Sequence, residues 1–251
     1  MARLMDDDDL VEIAEGENGP AVATALAVRC AFRVVPLLGG RNPAETVSDE
    51  AAAYMLVALR SLMAADACVR FPSRHEELRQ AARNAALAAA KIRPFKTGDT
   101  ATGRAAAQSC IEAVAAVAFS NEANARTART TAAAFNKAAS SVADGTTIER
   151  AAGTDLGAMM GGTTPAALLD QPLWAEGEPA MLAEVWGRLR AALLAGDEAW
   201  QFWIDWVEAR RDGRPDSEPL AVARVLVPDE TWLAGPTDAN DALLALDVRP
   251  S

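Results

Sequence analysis

Apolar residues recur along this chain with helical spacing and almost never alternate with period two. From Ala21 to Leu38 they run nearly unbroken, interrupted by Arg29 and Arg33 and closed by Pro36 and Gly39-Gly40, which predicts a first helix. Met55, Leu59, Leu62, Met63 and Val69 mark the face of a second, with Ser48 as its N-cap and Phe71-Pro72 as its end. Ser73 and Glu76 have capping-box spacing and open a third helix reaching about Ile92. Between Arg104 and Ala143 there is neither glycine nor proline, which means one long helix or a hairpin bent near Ser120 to Asn124. Its large apolar residues are sparse, so it packs closely through small residues or leans on a partner. Further helices are predicted near Ala180 to Ala195, Glu198 to Arg211, Glu218 to Leu226, Asp229 to Leu233 and Asp238 to Leu246.

These elements predict an all-α fold in which an alanine-rich helical bundle is followed by a smaller tryptophan-rich helical module. Residues 1–20 read as a flexible acidic arm, because the run Asp6 to Asp9 repels itself. Residues 21–143 form the bundle. Residues 144–166 carry Gly145, Gly153, Gly157, Gly161 and Gly162 among threonines, and read as a hinge with at most one short helix. Residues 167–248 form the second module, which holds all six tryptophans.

Composition sharpens this picture. Hydrophobic residues make up 51% of the chain but aromatics only 5%, so alanine carries much of the apolar content. Alanine favours helix strongly and contributes little burial per residue. The stretch Ala21 to Leu38 is short and charged for a membrane span, and Asp6 to Asp9 stand where a signal peptide would be basic. Cys30, Cys68 and Cys110 are far apart and odd in number, as expected of reduced, buried thiols. Together these predict a cytoplasmic protein with no membrane partner.

The net charge of −11 argues against nucleic acid wrapped by the whole surface. Charge is uneven, however. Between Gln80 and Ser140, Arg83, Lys91, Arg93, Lys96, Arg104, Arg126, Arg129 and Lys137 face three acids, Asp99, Glu112 and Glu122. That span is +5, which leaves −16 for the remainder of the −11 chain. Arg104, Arg126, Arg129 and Lys137 are therefore candidates for binding a partner, by preference an acidic surface of this chain, of a second copy or of another protein. Few aromatics interleave them, so single-stranded nucleic acid is the weaker fit.

Trp200, Trp203 and Trp206, with Phe202, form a dense aromatic set on one predicted helix. They are read first as a core and second as an exposed contact patch. Asp205, Glu208, Arg210, Arg211 and Asp212 read as the solvated face of that helix. Gly98 to Arg104 has two glycines before a basic residue, but lacks the lysine and hydroxyl that a phosphate loop requires. Gly153 to Thr164, with Thr164-Pro165 behind it, offers an anion nest only if a helix starts there. His75 is the single histidine and has no cysteine at ligand spacing. No catalytic set, metal site or cofactor site emerges.

Leu173-Trp174, Pro179, Trp186, Leu189, Leu193-Leu194, Trp200, Trp203 and Asp205-Trp206 form a spaced pattern. It continues through Arg210, Gly213, Pro215, Val227-Pro228-Asp229, Trp232 and Gly235-Pro236. In this the last third resembles a family of uncharacterised alanine-rich α-proteobacterial helical proteins, as does the segment Arg29 to Leu38. Val207 departs from the pattern, where a tyrosine is expected. The resemblance implies a modular helical architecture and carries no site.

Three functions follow in order. The first is a non-enzymatic interaction or assembly protein, self-associating or binding a protein partner. The second is a nucleic-acid-associated protein using the basic central helices. The third is an enzyme whose site lies at the hinge, for which a well-formed polar pocket lined by Gly153 to Thr164 and residues of both modules is the discriminating observation.

Overall fold

The computed structural model describes residues 19–91, 100–118, 124–142, 146–196 and 199–247. All regular structure among them is helical, in twelve α-helices and two short 3₁₀ turns. The first five helices, α1 (Gly19–Val34), α2 (Asp49–Arg70), α3 (His75–Ala89), α4 (Thr100–Ala118) and α5 (Asn124–Ser141), pack side by side as the bundle.

The glycine-free stretch resolves as a hairpin, because α4 and α5 lie against each other. Ala106, Ala107, Ala113, Ala134 and Ala138 are fully buried, and the Ser109 hydroxyl donates to the Ala134 carbonyl at 2.9 Å. Side chains this small let helix axes approach closely. Of the two alternatives, this is the close packing through small residues, and α1 and α2 of the same chain pack against the pair.

Ser48 caps α2 as expected, its hydroxyl accepting from the Ala51 N–H. The capping box does not form. A 3₁₀ turn occupies Pro72–Arg74, the helix starts at His75 with Arg74 at the N-cap position, and no side chain caps it. The proline sets the turn one register later than the sequence motif implied.

Two helical segments, Gly19–Leu37 and Asp49–Arg70, are long and apolar enough for a membrane span, the first against the reading of Ala21 to Leu38 as too short and charged. Of each apolar window 83% is buried inside the bundle, which accounts for that hydropathy without a membrane.

The glycine- and threonine-rich span is also a correction. It holds a 15-residue helix, α6 (Thr146–Met160), followed by the short α7 (Pro165–Leu169). Each helical glycine costs about 1 kcal/mol relative to alanine. Tertiary contacts outweigh that cost, since Ile148, Ala152 and Asp155 lie on one buried stripe of α6. The helix ends in a Schellman motif: Thr163 N–H donates to the Ala158 carbonyl and Gly162, at φ +101°, donates to Met159.

The remaining helices are α8 (Ala180–Leu194), α9 (Gln201–Arg211), α10 (Glu218–Val225), α11 (Asp229–Ala234) and α12 (Pro236–Asp247). They share one continuous hydrophobic core with the bundle. Val35, Leu38, Met55 and Leu59 meet Trp186, Leu189, Leu193 and Trp203, while the Phe32 and Trp206 rings pack at a tilt of 44° with centres 5.3 Å apart.

Arginines complete the union. Arg70 of α2 donates to the Leu169 carbonyl at 2.6 Å and pairs with Asp170, so it grips the connector after α7. On the connector's other side the backbone of Gly213 passes so close that a Cβ there would sit 2.6 Å from the Asp170 carbonyl oxygen, and its φ is +71°. Only glycine meets both conditions.

Candidate functional site

α1 is apolar on nearly every face, yet it carries Arg29 and Arg33 one turn apart, each 2% exposed. Buried guanidiniums demand acceptors, and these come from far along the chain. Arg29 Nε donates to Asp155 Oδ2 of α6 at 2.9 Å. Its other nitrogens donate to the carbonyls of Leu168, Gln171 and Pro172, at 2.8, 2.9 and 2.9 Å. Arg33 donates through Nε and Nη2 to the Leu173 carbonyl, at 3.2 and 2.9 Å, and its Nη2 lies 2.7 Å from Asp155 Oδ2. The two cations thus share one carboxylate and staple the connector 168–173 onto α1.

Arg33 is not fully satisfied. Its Nη1 is buried and has no hydrogen-bond acceptor. The guanidinium lies 5.4 Å from the centre of the Trp174 ring, in cation–π contact. Trp174 is half-buried, unlike the other five tryptophans, which are buried.

Beside these groups lies a cleft of about 270 Å³. Its floor includes Arg29, Arg33 and Asp155; α6 contributes Thr147, Arg150, Ala151, Thr154 and Ala158; the segment 171–179 supplies the opposite wall, with Trp174. Arg150 and Glu176 are exposed at its rim and oppose each other in sign. The interior is left with two buried guanidiniums against one buried carboxylate.

Electrostatics agree. Burial pushes the Arg29 pKa down, Asp155 opposes that, and the neighbouring Arg33 cation adds to the fall. A bound anion would relieve both the desolvation and the repulsion.

Acid–base or nucleophilic chemistry has little to work with among the described lining residues. The Thr154 hydroxyl donates to the Arg150 carbonyl. Cys30, next to Arg29 in sequence, is a buried thiol that burial pushes up to about 11, while the Arg33 guanidinium within hydrogen-bond reach of it pulls the other way. Cys68 and Cys110 are likewise pushed up to about 12 by burial. The native protein is therefore expected to resist Ellman's reagent at pH 8, with three thiols per chain titrating after denaturation. Rapid reaction of any one thiol in the native state would contradict the burial described.

The residues singled out in the sequence lie elsewhere. Arg104 on α4 and Arg129 and Lys137 on α5 are exposed. Arg126 falls within α5, and its side chain lies outside the described residues. Trp200, Trp203 and Trp206 are 2%, 1% and 3% exposed, so they form core and present no contact patch. Arg210, expected on a solvated face, is 2% exposed and bonded to Asp66 and Asp216. The helix at Thr164-Pro165 exists, but it has five residues and the Thr164 hydroxyl takes its Ala167 N–H, so it offers no anion nest. Gly103 and Arg104 lie inside α4, where a Cβ on Gly103 would meet the Leu38 carbonyl at 2.8 Å; this is a packing glycine, not a phosphate loop. Asp6 to Asp9 and the His75 side chain lie outside the described residues.

No family model, curated protein or solved structure matches the chain.

Proposed function

We propose that this protein binds a small anion in the cleft between α1, α6 and the segment 171–179, and that it holds this ligand without transforming it. One observation carries the proposal: Arg33 is buried in the cleft floor with Nη1 unpaired, next to a second buried arginine and a single shared carboxylate. A buried donor left unmade costs about 1–3 kcal/mol. A network needed only to fasten the connector would be served by Arg29, which has an acceptor at each of its three nitrogens. The cleft also has the composition expected of a junction site, since its lining combines α1 of the bundle, α6 and the segment leading into the tryptophan-rich helices.

The test is thermal unfolding of the full chain in sodium salts of small carboxylates and of phosphate, against chloride at equal ionic strength. A ligand that binds only the folded state raises the melting temperature by mass action. Identical melting temperatures across the series would sink the proposal.

A second reading, assembly through a surface, keeps one observation in its favour. Met160 is 81% exposed on α6, and nothing lies within 4 Å of where a Cβ would stand on Gly153 or Gly157 of the same helix. Light scattering decides it: a mass near 26.4 kDa at all concentrations removes this reading, and a multiple of it supports self-association.

A further inference from the structure

Resting on the anion-site reading, we infer that the ligand is an aromatic carboxylate: a single negative charge carried on a flat apolar body. Three features of the cleft select it. The first is charge. Among the described lining residues, Arg29 and Arg33 pair with the one buried carboxylate of Asp155, which leaves one positive charge uncompensated, and the orphaned nitrogen is Arg33 Nη1. One carboxylate satisfies that donor and that charge. A phosphate dianion brings a second charge toward Asp155 with no further buried donor to receive it, the rim charges of Arg150 and Glu176 offsetting each other.

The second feature is the wall. Trp174 lies on the cleft and is the half-buried member of the six tryptophans, with Arg33 on its ring at 5.4 Å. The lining also includes Ala151, Ala158, Ala175, Pro172 and Pro179 beside the polar Thr147, Thr154 and Gln171. An indole ring and short apolar side chains suit a planar ring. The third is size. About 270 Å³ lies just below the ~300–1,000 Å³ of ordinary ligand sites, which suits a ligand of one ring and one carboxylate.

Arg33 Nη1 is sheltered from solvent. A carboxylate that reaches it takes the place of part of the Trp174 contact, so the indole shifts as the ligand enters. Binding then changes tryptophan fluorescence through Trp174.

The experiment uses the full chain titrated with sodium benzoate, sodium acetate and inorganic phosphate at constant ionic strength, followed by calorimetry and tryptophan fluorescence. Benzoate is expected to bind about tenfold or more tightly than acetate or phosphate, the ring contact with Trp174 making the difference from acetate. Arg33→Met is expected to abolish binding of all three. Because Arg33 also holds the Leu173 carbonyl, Trp174→Leu is the second variant. It leaves that hydrogen bond in place and is expected to weaken benzoate about tenfold, to leave acetate unchanged and to remove the fluorescence response. If none of the three anions binds, the anion-site reading falls and this inference falls with it. If phosphate or acetate binds as tightly as benzoate, the anion site stands and the aromatic class is overturned. If benzoate binds best but Trp174→Leu binds it unchanged, the ring is held elsewhere and the inference is overturned.

Discussion

Replacing Asp66 with alanine is expected to destabilise the protein by about 3–5 kcal/mol, the range for removing one member of a buried ion pair. Asp66 on α2 is 1% exposed and accepts from two guanidiniums, Arg70 Nε at 2.9 Å and Arg210 Nε at 3.1 Å. Its loss leaves both cations facing one another across a dry gap. Neither can turn to water cheaply. Arg70 is held by the Leu169 carbonyl and Asp170, and Arg210 by the Arg214 carbonyl and Asp216. Asp66 and Arg210 also come from opposite parts of the chain, α2 and α9, so the damage falls on the union of the bundle with the tryptophan-rich helices. Urea unfolding followed by circular dichroism measures the loss. The double variant Asp66→Ala with Arg210→Met is expected to be less destabilised than the sum of the single changes, because the second change removes a cation the first left unpaired. A loss under about 1 kcal/mol for Asp66→Ala would mean that water reaches the pair and that it behaves as a surface bridge.

Burial also sets the pH range of this network. Desolvation alone would raise the Asp216 carboxyl, but Arg210 and Arg224 more than offset it and hold its pKa below the ordinary value. A depressed carboxylate contributes stability above its unfolded pKa and loses that contribution as the pH falls through the folded one. The Asp216 contribution is therefore lost as the pH falls into the acid range and is fully present at neutral pH.

Much of the helical architecture was legible because proline, glycine and cap residues punctuate the chain. Ser48 before α2, Pro36 and Gly39-Gly40 after α1, and Pro228 and Gly235 flanking α11 each act through local backbone geometry. The sequence misled where distant contacts decide. Gly153 and Gly157 disfavour helix locally, yet α6 forms because Ile148, Ala152 and Asp155 pack along one buried stripe, where Asp155 meets Arg29 and Arg33. Ser73 and Glu76 match a capping box, but Pro72 starts a 3₁₀ turn and Arg74 pairs with Glu77 instead.

The cleft was half visible. Two arginines in an otherwise apolar helix signal a buried polar structure, since such residues are almost never buried unpaired. What they bind was not legible, because Asp155 lies 126 residues beyond Arg29 and the other acceptors are backbone carbonyls, which every residue has. Nothing in the sequence distinguished Trp174 from the other tryptophans. Its partial exposure follows from its place on an irregular segment rather than on a packed helix.

The buried tryptophans carry the second large expected effect. Trp203→Ala is expected to cost about 3–5 kcal/mol, as for a large aromatic side chain removed from a core that cannot collapse. Trp203 is 1% exposed, and its ring meets Phe202 at 5.0 Å and Trp206 at 5.6 Å, both edge-on, with Trp232 at 6.3 Å. These neighbours are themselves anchored. Trp206 lies against Phe32 of α1 and under the Arg210 guanidinium, while Trp232 donates to the Val227 carbonyl and carries Arg60 on its face. They cannot close over the void without giving up contacts of their own. The indole Nε1 of Trp203 also donates to Asn240 Oδ1 at 2.7 Å, which ties α9 to α12. Trp203→Phe keeps most of the packing and loses that hydrogen bond, so its cost is expected near 1–2 kcal/mol. Trp174→Leu, at a half-buried position, is expected to cost less than either. Chemical unfolding of the three variants therefore ranks them Trp203→Ala, Trp203→Phe, Trp174→Leu. Equal losses for Trp174→Leu and Trp203→Ala would show that Trp174 supports the fold as a core residue does, and its freedom to move for a ligand would go with that result.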